Sequence, residues 1–281
     1  MKALPTIPGY ELLSPLGGGL LSAVHTAQET ATETTCAVKF LRPDWEDQPT
    51  AIKLLQREAR AYYQVQHPHL ATMRHAHVMK PPYFIVMDLL PGESLRRRLR
   101  RDYKLTVSEA LWITRQIAEA VQALHRNGFI HGDIKPDNIQ LTGEGTAILV
   151  DLGFAHRKGE NAAILRKGYI LGTADYLAPE LCGTPPDDGP KADIFSLGVT
   201  LYELLTGQLP YPRGPVDQTI RSRGLQKPRD IRRCINCLPR RLVAFVKKLL
   251  VRDPNERPNA SAVVQQLIKL EIAMLQREAA A

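Results

Sequence analysis

His131, Asp133, Lys135 and Asn138 fall within eight residues, and Asp151 follows thirteen residues after Asn138. An acid that can act as a base, an ammonium group and two oxygen donors at this spacing suit phosphoryl transfer. The transition state of that reaction spreads negative charge over the transferred oxygens, so catalysis is mostly positioning and electrostatic stabilisation. On this reading Asp133 orients the attacking hydroxyl and accepts its proton. Lys135 neutralises the phosphoryl group in flight, and Asn138 with Asp151 holds a divalent metal.

Other segments carry complementary chemistry. Leu16-Gly17-Gly18-Gly19 precedes Ser22 and Val24, and glycine lets backbone amides approach phosphate oxygens without a side chain between them. Cys36-Ala37-Val38-Lys39-Phe40 is an apolar run with one lysine, which is costly to bury unless paired. A partner is at hand nineteen residues on: Glu58 lies in a stretch where Ile52, Leu55, Ala59 and Tyr62 repeat at helical spacing. Tyr83 to Leu90 reads as a buried strand ending at the turn signal Pro91-Gly92.

These segments and the order in which they occur resemble the protein kinase family over roughly residues 9–270. The resemblance also rests on Gly172-Thr173-Ala174-Asp175-Tyr176-Leu177-Ala178-Pro179-Glu180, on Asp193 and on Arg257. It implies that Lys39 grips the α- and β-phosphates of ATP while Glu58 holds it in place. Leu16, Gly17, Gly19, Val24 and Ala37 would cover the nucleotide, Met87 would be the gatekeeper, and the backbone of Asp88 and Leu90 would bind adenine. Gln140 would form the floor. Asn138 and Asp151 would ligate Mg²⁺ or Mn²⁺, Thr173 would bond Asp133 and Lys135, Asp193 would brace the catalytic loop, and Glu180 would pair with Arg257. Lys135, two residues after Asp133, resembles the pattern of serine/threonine-specific members, and the 172–180 run resembles the bacterial-type ones. Four positions depart from the family: Gly132 stands in place of arginine, Ser22 of the third glycine, Gln140 of an apolar residue and Leu152 of phenylalanine.

The missing arginine has a regulatory side. Segment 154–171 contains no serine or threonine, and its only hydroxyl is Tyr169. Without an arginine before Asp133 to receive a phosphate, activity is expected not to depend on Ser/Thr phosphorylation there. Two other function classes fit parts of the sequence. His131-Gly132-Asp133 with Asn138 also resembles aminoglycoside and sugar kinases, and the departures at Ser22, Gln140 and Leu152 suit a catalytically weak binding module.

The elements that must position these groups are legible. Thr106-Val107-Ser108-Glu109 reads as a capping box, and Leu111, Ile113, Ile117, Val121 and Leu124 continue a helix that ends at Gly128, just before the catalytic stretch. A helix opening near Asp193 closes at Gly207, and residues 260–281 form a last helix with its end projecting. With strands before residue 90 and helices after it, the fold class is α+β. One domain over 1–281 is expected: a β-rich lobe with one helix (9–90), a mostly helical lobe (91–270) and a helical tail (271–281).

Charge and composition narrow the setting. Net charge is +8, concentrated in Arg96, Arg97, Arg98, Arg100 and Arg101 and in a second set from Arg221 to Arg241. Such patches would bias protein substrates toward acidic ones, although solvated helix faces give the same pattern. No nucleic acid is expected, because no aromatic platform interleaves the basic residues. The residues carry no signal for an oligomeric state. No apolar run reaches the ~18 residues of a membrane span, the first residues lack a signal-peptide core, and four cysteines do not form a disulfide framework. These point to a cytoplasmic protein. Cys234 and Cys237 form a lone CxxC, which is read as two reduced cysteines and not a metal site.

Overall fold

The computed structural model describes residues 4–143, 145–166, 171–183, 186–216, 218–220, 226–235 and 238–278. An antiparallel sheet of five strands forms first: β1 (Tyr10–Gly18), β2 (Ser22–Glu29), β3 (Thr35–Leu41), β4 (Met73–His77) and β5 (Phe84–Asp88), in the order β1-β2-β3-β5-β4. Helix α1 (Pro49–Gln64) lies between β3 and β4 in sequence and opens on a proline, whose missing N–H costs nothing in a first turn.

Register decides which side chains share a face. Gly17 pairs with Val24, Val24 with Lys39, Lys39 with Ile85, and Ala37 with Met87. Because strand side chains alternate, Val24, Ala37, Lys39, Ile85 and Met87 all point to one side. Ile85 and Met87 meet α1 there, packed with Leu55 and Ala59. The alternate residues Val38, Phe40, Phe84 and Val86 build a separate core on the opposite side. A single lysine in an apolar strand is thereby aimed at α1.

The second lobe is mainly helical: α2 (Leu95–Asp102), α3 (Val107–Arg126), the short α4 (Ala162–Arg166), α5 (Lys191–Thr206), α6 (Arg240–Leu249) and α7 (Ala260–Glu278). The capping box at Thr106 is formed, with both reciprocal bonds to Glu109. Helix α5 is buried along its whole length and ends on Gly207 at φ 71°, a left-handed cap. In α7, Val264, Leu267 and Leu270 are buried and Met274 packs on the same core, whereas Ile272 and Leu275 are exposed, so the last turns keep one face on the lobe.

The division into strands before residue 90 and helices after it needs correction. A three-stranded sheet, β6 (Glu93–Ser94), β7 (Ile139–Leu141) and β8 (Ala147–Leu149), lies beyond it. Strands of two or three residues are too short to show a period of two. This small sheet joins the segment after β5 to the residues that follow Asn138.

Candidate active site

Helices α3 and α5 set the catalytic stretch. The His131 and Gly132 amides donate to the buried Asp193 carboxylate at 2.8 and 2.9 Å, and His125 from the end of α3 bonds it at 2.8 Å. Burial alone would raise this carboxyl, but the His125 hydrogen bond and its charge hold it below the usual range. The His131 ring accepts from the Asp133 amide at 3.1 Å, which fixes the backbone that carries Asp133.

Asp133 is itself buried, and its two oxygens differ. Oδ2 accepts from Lys135 at 2.7 Å and from the Asn138 amide nitrogen at 3.0 Å. Oδ1 is buried without a hydrogen-bond partner among the described residues. A buried acceptor without a donor is costly, so this oxygen is an open position for a hydroxyl proton. Lys135 also donates to Thr173 at 2.6 Å. Thr173 therefore engages Lys135, while the expected second bond to Asp133 is not among the described contacts.

Across the cleft, Lys39 is shared by two acids, Glu58 at 2.8 Å and Asp151 at 2.6 Å. Desolvation would lower the lysine, but Asp151 and Glu58 hold its ammonium well above its ordinary value. Asp151, also raised by burial alone, is held at about 2 by Lys39 and the Gly153 amide. Burial pushes Glu58 up to about 7 against the pull of Lys39. One ammonium between two carboxylates leaves Asp151 as the firmly ionised one. Asp151 sits at φ 64°, a left-handed turn that presents its carboxylate to Lys39 and the Gly153 amide at once. Leu152 is fully buried and fills the space behind that turn.

The glycine-rich turn closes through the Gly19 amide on the Ser22 carbonyl at 2.9 Å. Gly18, at φ 149°, is the position where geometry demands glycine, because a Cβ would sit 2.7 Å from that carbonyl. At Gly17 and Gly19 the Cβ direction is open space. Leu16 is exposed, Val24 half-buried and Ala37 buried, so the expected roof is graded from rim to interior. The Asp88 amide donates to the Thr72 carbonyl at 3.1 Å, leaving its carbonyl as the Asp88 group that could meet adenine. Gln140 lies in β7, and its side-chain amide donates to the Pro91 carbonyl at 3.2 Å. Gln140, expected as the floor, is thus a clip on the segment that follows β5.

Glu180 and Arg257, distant in sequence, meet through two hydrogen bonds of 2.6 and 2.8 Å. Three features escaped sequence reasoning. Arg96 is half-buried against Glu203, Asp137 and Tyr176. Arg57 and Arg60 of α1 meet Glu160 and Asn161. Gln140 reaches Pro91. Charged residues at helical spacing toward a buried face were the available signal for the first two.

The arginines after β5 are held in ion pairs. Arg96 pairs with Asp137 and Glu203, Arg98 with Asp102 and Glu109, and Arg101 with Glu93 and Asp102. Most of that cluster is thus ion-paired within the chain. In the second set Arg232 pairs with Asp230, and Arg221 and Arg223 lie outside the described residues. So do Tyr169 and Cys237; Cys234 contacts the Tyr202 hydroxyl. Among the described residues no helix is long and apolar enough to cross a membrane.

Comparison with known proteins agrees with this geometry. A family model described as protein kinase domain matches residues 10–268. The chain is 33% identical over 251 residues to the serine/threonine-protein kinase PknD of Mycobacterium tuberculosis, which is 88% of this chain and 37% of that protein. It is 29% identical over 263 residues to PrkC of Bacillus subtilis (92% and 40%). With PknB of Mycobacterium leprae it shares 32% over 206 residues (72% and 33%). Both of these are also serine/threonine-protein kinases by name. The chain spans well under half the length of these relatives.

Proposed function

The chain belongs to the protein kinase family, and on that footing we propose that it transfers the γ-phosphate of ATP to serine or threonine hydroxyls of protein substrates. The observation that carries this reading is the unpartnered Oδ1 of Asp133, with Lys135 and Thr173 beside it. Asp133 accepts the proton of the incoming hydroxyl at Oδ1, held in place because Oδ2 is fixed by Lys135 and Asn138. Lys135, bound to Thr173, supplies positive charge next to that oxygen. Lys39, fixed by Glu58, supplies a second cation on the nucleotide side.

The donor set suits a hard cation. The Asn138 nitrogen is committed to the backbone and side chain of Asp133, which leaves its oxygen free. Asp151 keeps one oxygen beyond its bonds to Lys39 and Gly153. Magnesium takes one or two such oxygens together with substrate phosphates, and Asn138 and Asp151 would hold it. When bound, it would neutralise charge on the phosphates. A protein acceptor, in preference to a small molecule, is supported by Lys135, Thr173 and the Glu180–Arg257 pair beneath the 172–180 segment. A cytoplasmic setting is part of the same proposal and is supported by Cys36, Cys182 and Cys234, which among the described residues enter no disulfide.

The test is transfer of labelled phosphate from ATP and Mg²⁺ to unstructured Ser/Thr-rich protein, to a tyrosine polymer, and to an aminoglycoside and a sugar. Label is expected on serine and threonine alone. In Lys39→Met, Glu58 and Asp151 lose their shared cation, and transfer is expected to fall by at least about 10². Label on the small molecules, or transfer that survives Lys39→Met, would refute the proposal.

A further inference from the structure

Segment 156–161 is fastened on two sides. On the helical lobe, Ile130 and His156 exchange backbone bonds of 2.8 and 3.0 Å, and the Gly159 amide donates to Asp188 at 3.2 Å. Toward α1 the contacts are made by arginines, with the Arg60–Glu160 ion pair at their centre. Arg60 donates to both oxygens of Glu160, at 2.7 and 2.8 Å. Arg57, itself buried, donates to the Asn161 side chain at 2.9 Å and to the Glu160 carbonyl at 2.8 Å. Arg157 reaches Gln64 at 3.0 Å, and its amide donates to the Glu160 carboxylate at 2.9 Å.

Residues 57, 60 and 64 are spaced by three and four, so they form one face of α1. Glu58, the partner of Lys39, is the immediate neighbour of Arg57. A helix held along that face cannot turn without pulling Glu58 away from Lys39. Burial opposes ionisation of Glu160, but the Arg157 amide and Arg60 hold its carboxyl below the usual range, so it is an anion at neutral pH. Gly132 completes the arrangement. It sits at φ 81°, and a Cβ there would stand 3.2 Å from the Phe154 carbonyl and 3.6 Å from the His156 ring. The segment itself occupies the ground beside position 132.

We propose that Glu160 is a built-in anionic clamp, gripping Arg60 and backed by Asn161 on Arg57, that seats α1 so that Glu58 meets Lys39 with no phosphate on the segment. Glu160, Arg57 and Arg60 are positioning residues, and the inference rests on the phosphotransfer reading given above. A fixed carboxylate does here what a transferable phosphate would do: it gives two arginines of α1 a permanent partner.

The experiment compares the wild type with Glu160→Ala, Glu160→Gln, and the charge swap Arg60→Glu with Glu160→Arg. Three quantities are read: kcat, KM for ATP, and amide hydrogen exchange across Pro49–Gln64 and across α3. Glu160→Ala and Glu160→Gln are expected to lower kcat by about 10–100-fold, as small displacements of a positioned group do. Exchange should rise in α1 and stay unchanged in α3, and the swap should recover most of both losses. Exhaustive phosphatase treatment of the wild type should leave kcat unchanged. The proposal fails if Glu160→Ala keeps kcat and α1 exchange within twofold of the wild type, if exchange rises equally in α3, or if phosphatase abolishes activity. Should the wild type transfer no phosphate at all, the phosphotransfer reading fails alone, and α1 exchange still decides whether Glu160 seats the helix.

Discussion

Asp133→Asn binds ATP with unchanged affinity and transfers phosphate about 10²–10⁴-fold more slowly, the range expected for loss of a positioned general base. The substitution is nearly isosteric, and the contacts of Asp133 show why its effect falls on rate. The asparagine oxygen can take the place of Oδ2 and keep the bonds to Lys135 and to Asn138. The new NH₂ then stands where the unpartnered Oδ1 was. It presents a donor to the hydroxyl where an acceptor is required, so the nucleophile is neither deprotonated nor held in line. Nucleotide contacts through Lys39 are untouched. Asp133→Glu keeps the base but moves it by one methylene, and is expected to lose about 10²-fold, the cost of displacing a reacting group by about 1 Å. Single-turnover transfer measured beside equilibrium ATP binding separates the two effects. A transfer rate for Asp133→Asn within threefold of the wild type would remove Asp133 from the chemistry.

How far the sequence could be read depended on how local each signal was. Asp133, Lys135 and Asn138 are neighbours in the chain, so their meeting through hydrogen bonds was legible from spacing. Lys39 and Glu58 were legible because an apolar strand carrying one lysine needs a partner and a helix of the right period follows it. The pairing of Glu180 with Arg257, 77 residues apart, required the family resemblance. The short sheet of β6, β7 and β8 was not legible, since two or three residues cannot show alternation. Arg57 and Arg60 stand at helical spacing on one face of α1. Nothing near them in the chain announces Glu160, a hundred residues on. Arg96 shows the same limit from the other direction. A run of arginines reads as free positive charge until the fold brings Glu203 and Asp137 against it. Local pattern names the candidate groups, while the long-range ion pairs around them become visible only once the chain is folded.

The largest expected loss of stability is at Arg257. Its side chain is fully buried, and all five of its N–H groups are used. Nε donates to the Val251 carbonyl at 2.7 Å. Nη1 serves Glu180 at 2.6 Å and the Lys191 carbonyl at 2.9 Å. Nη2 serves Glu180 at 2.8 Å and the Arg252 carbonyl at 2.9 Å. The guanidinium also lies over the Phe195 ring, 4.8 Å from its centre. Arg257→Met fills much of the volume but strands the Glu180 carboxylate and three carbonyls away from water. Breaking one side of a buried ion pair costs about 3–5 kcal/mol. Arg257→Lys keeps the charge, but three donors on a flexible stem cannot reproduce the fork, so its loss should approach that of Arg257→Met. Glu180→Gln leaves the guanidinium buried with only neutral partners, and should be comparably harmful. Because Lys191 opens α5, and Asp193 of the same turn holds His131 and Gly132, the loosened corner lies one step from the catalytic stretch. Urea unfolding followed by two probes, one for each lobe, measures the effect, and the helical lobe should lose its stability first. If Arg257→Met unfolded within about 1 kcal/mol of the wild type, the net cost of leaving that network incomplete would have been overestimated, and Arg257 would be a spectator beneath residues 172–180 instead of their support.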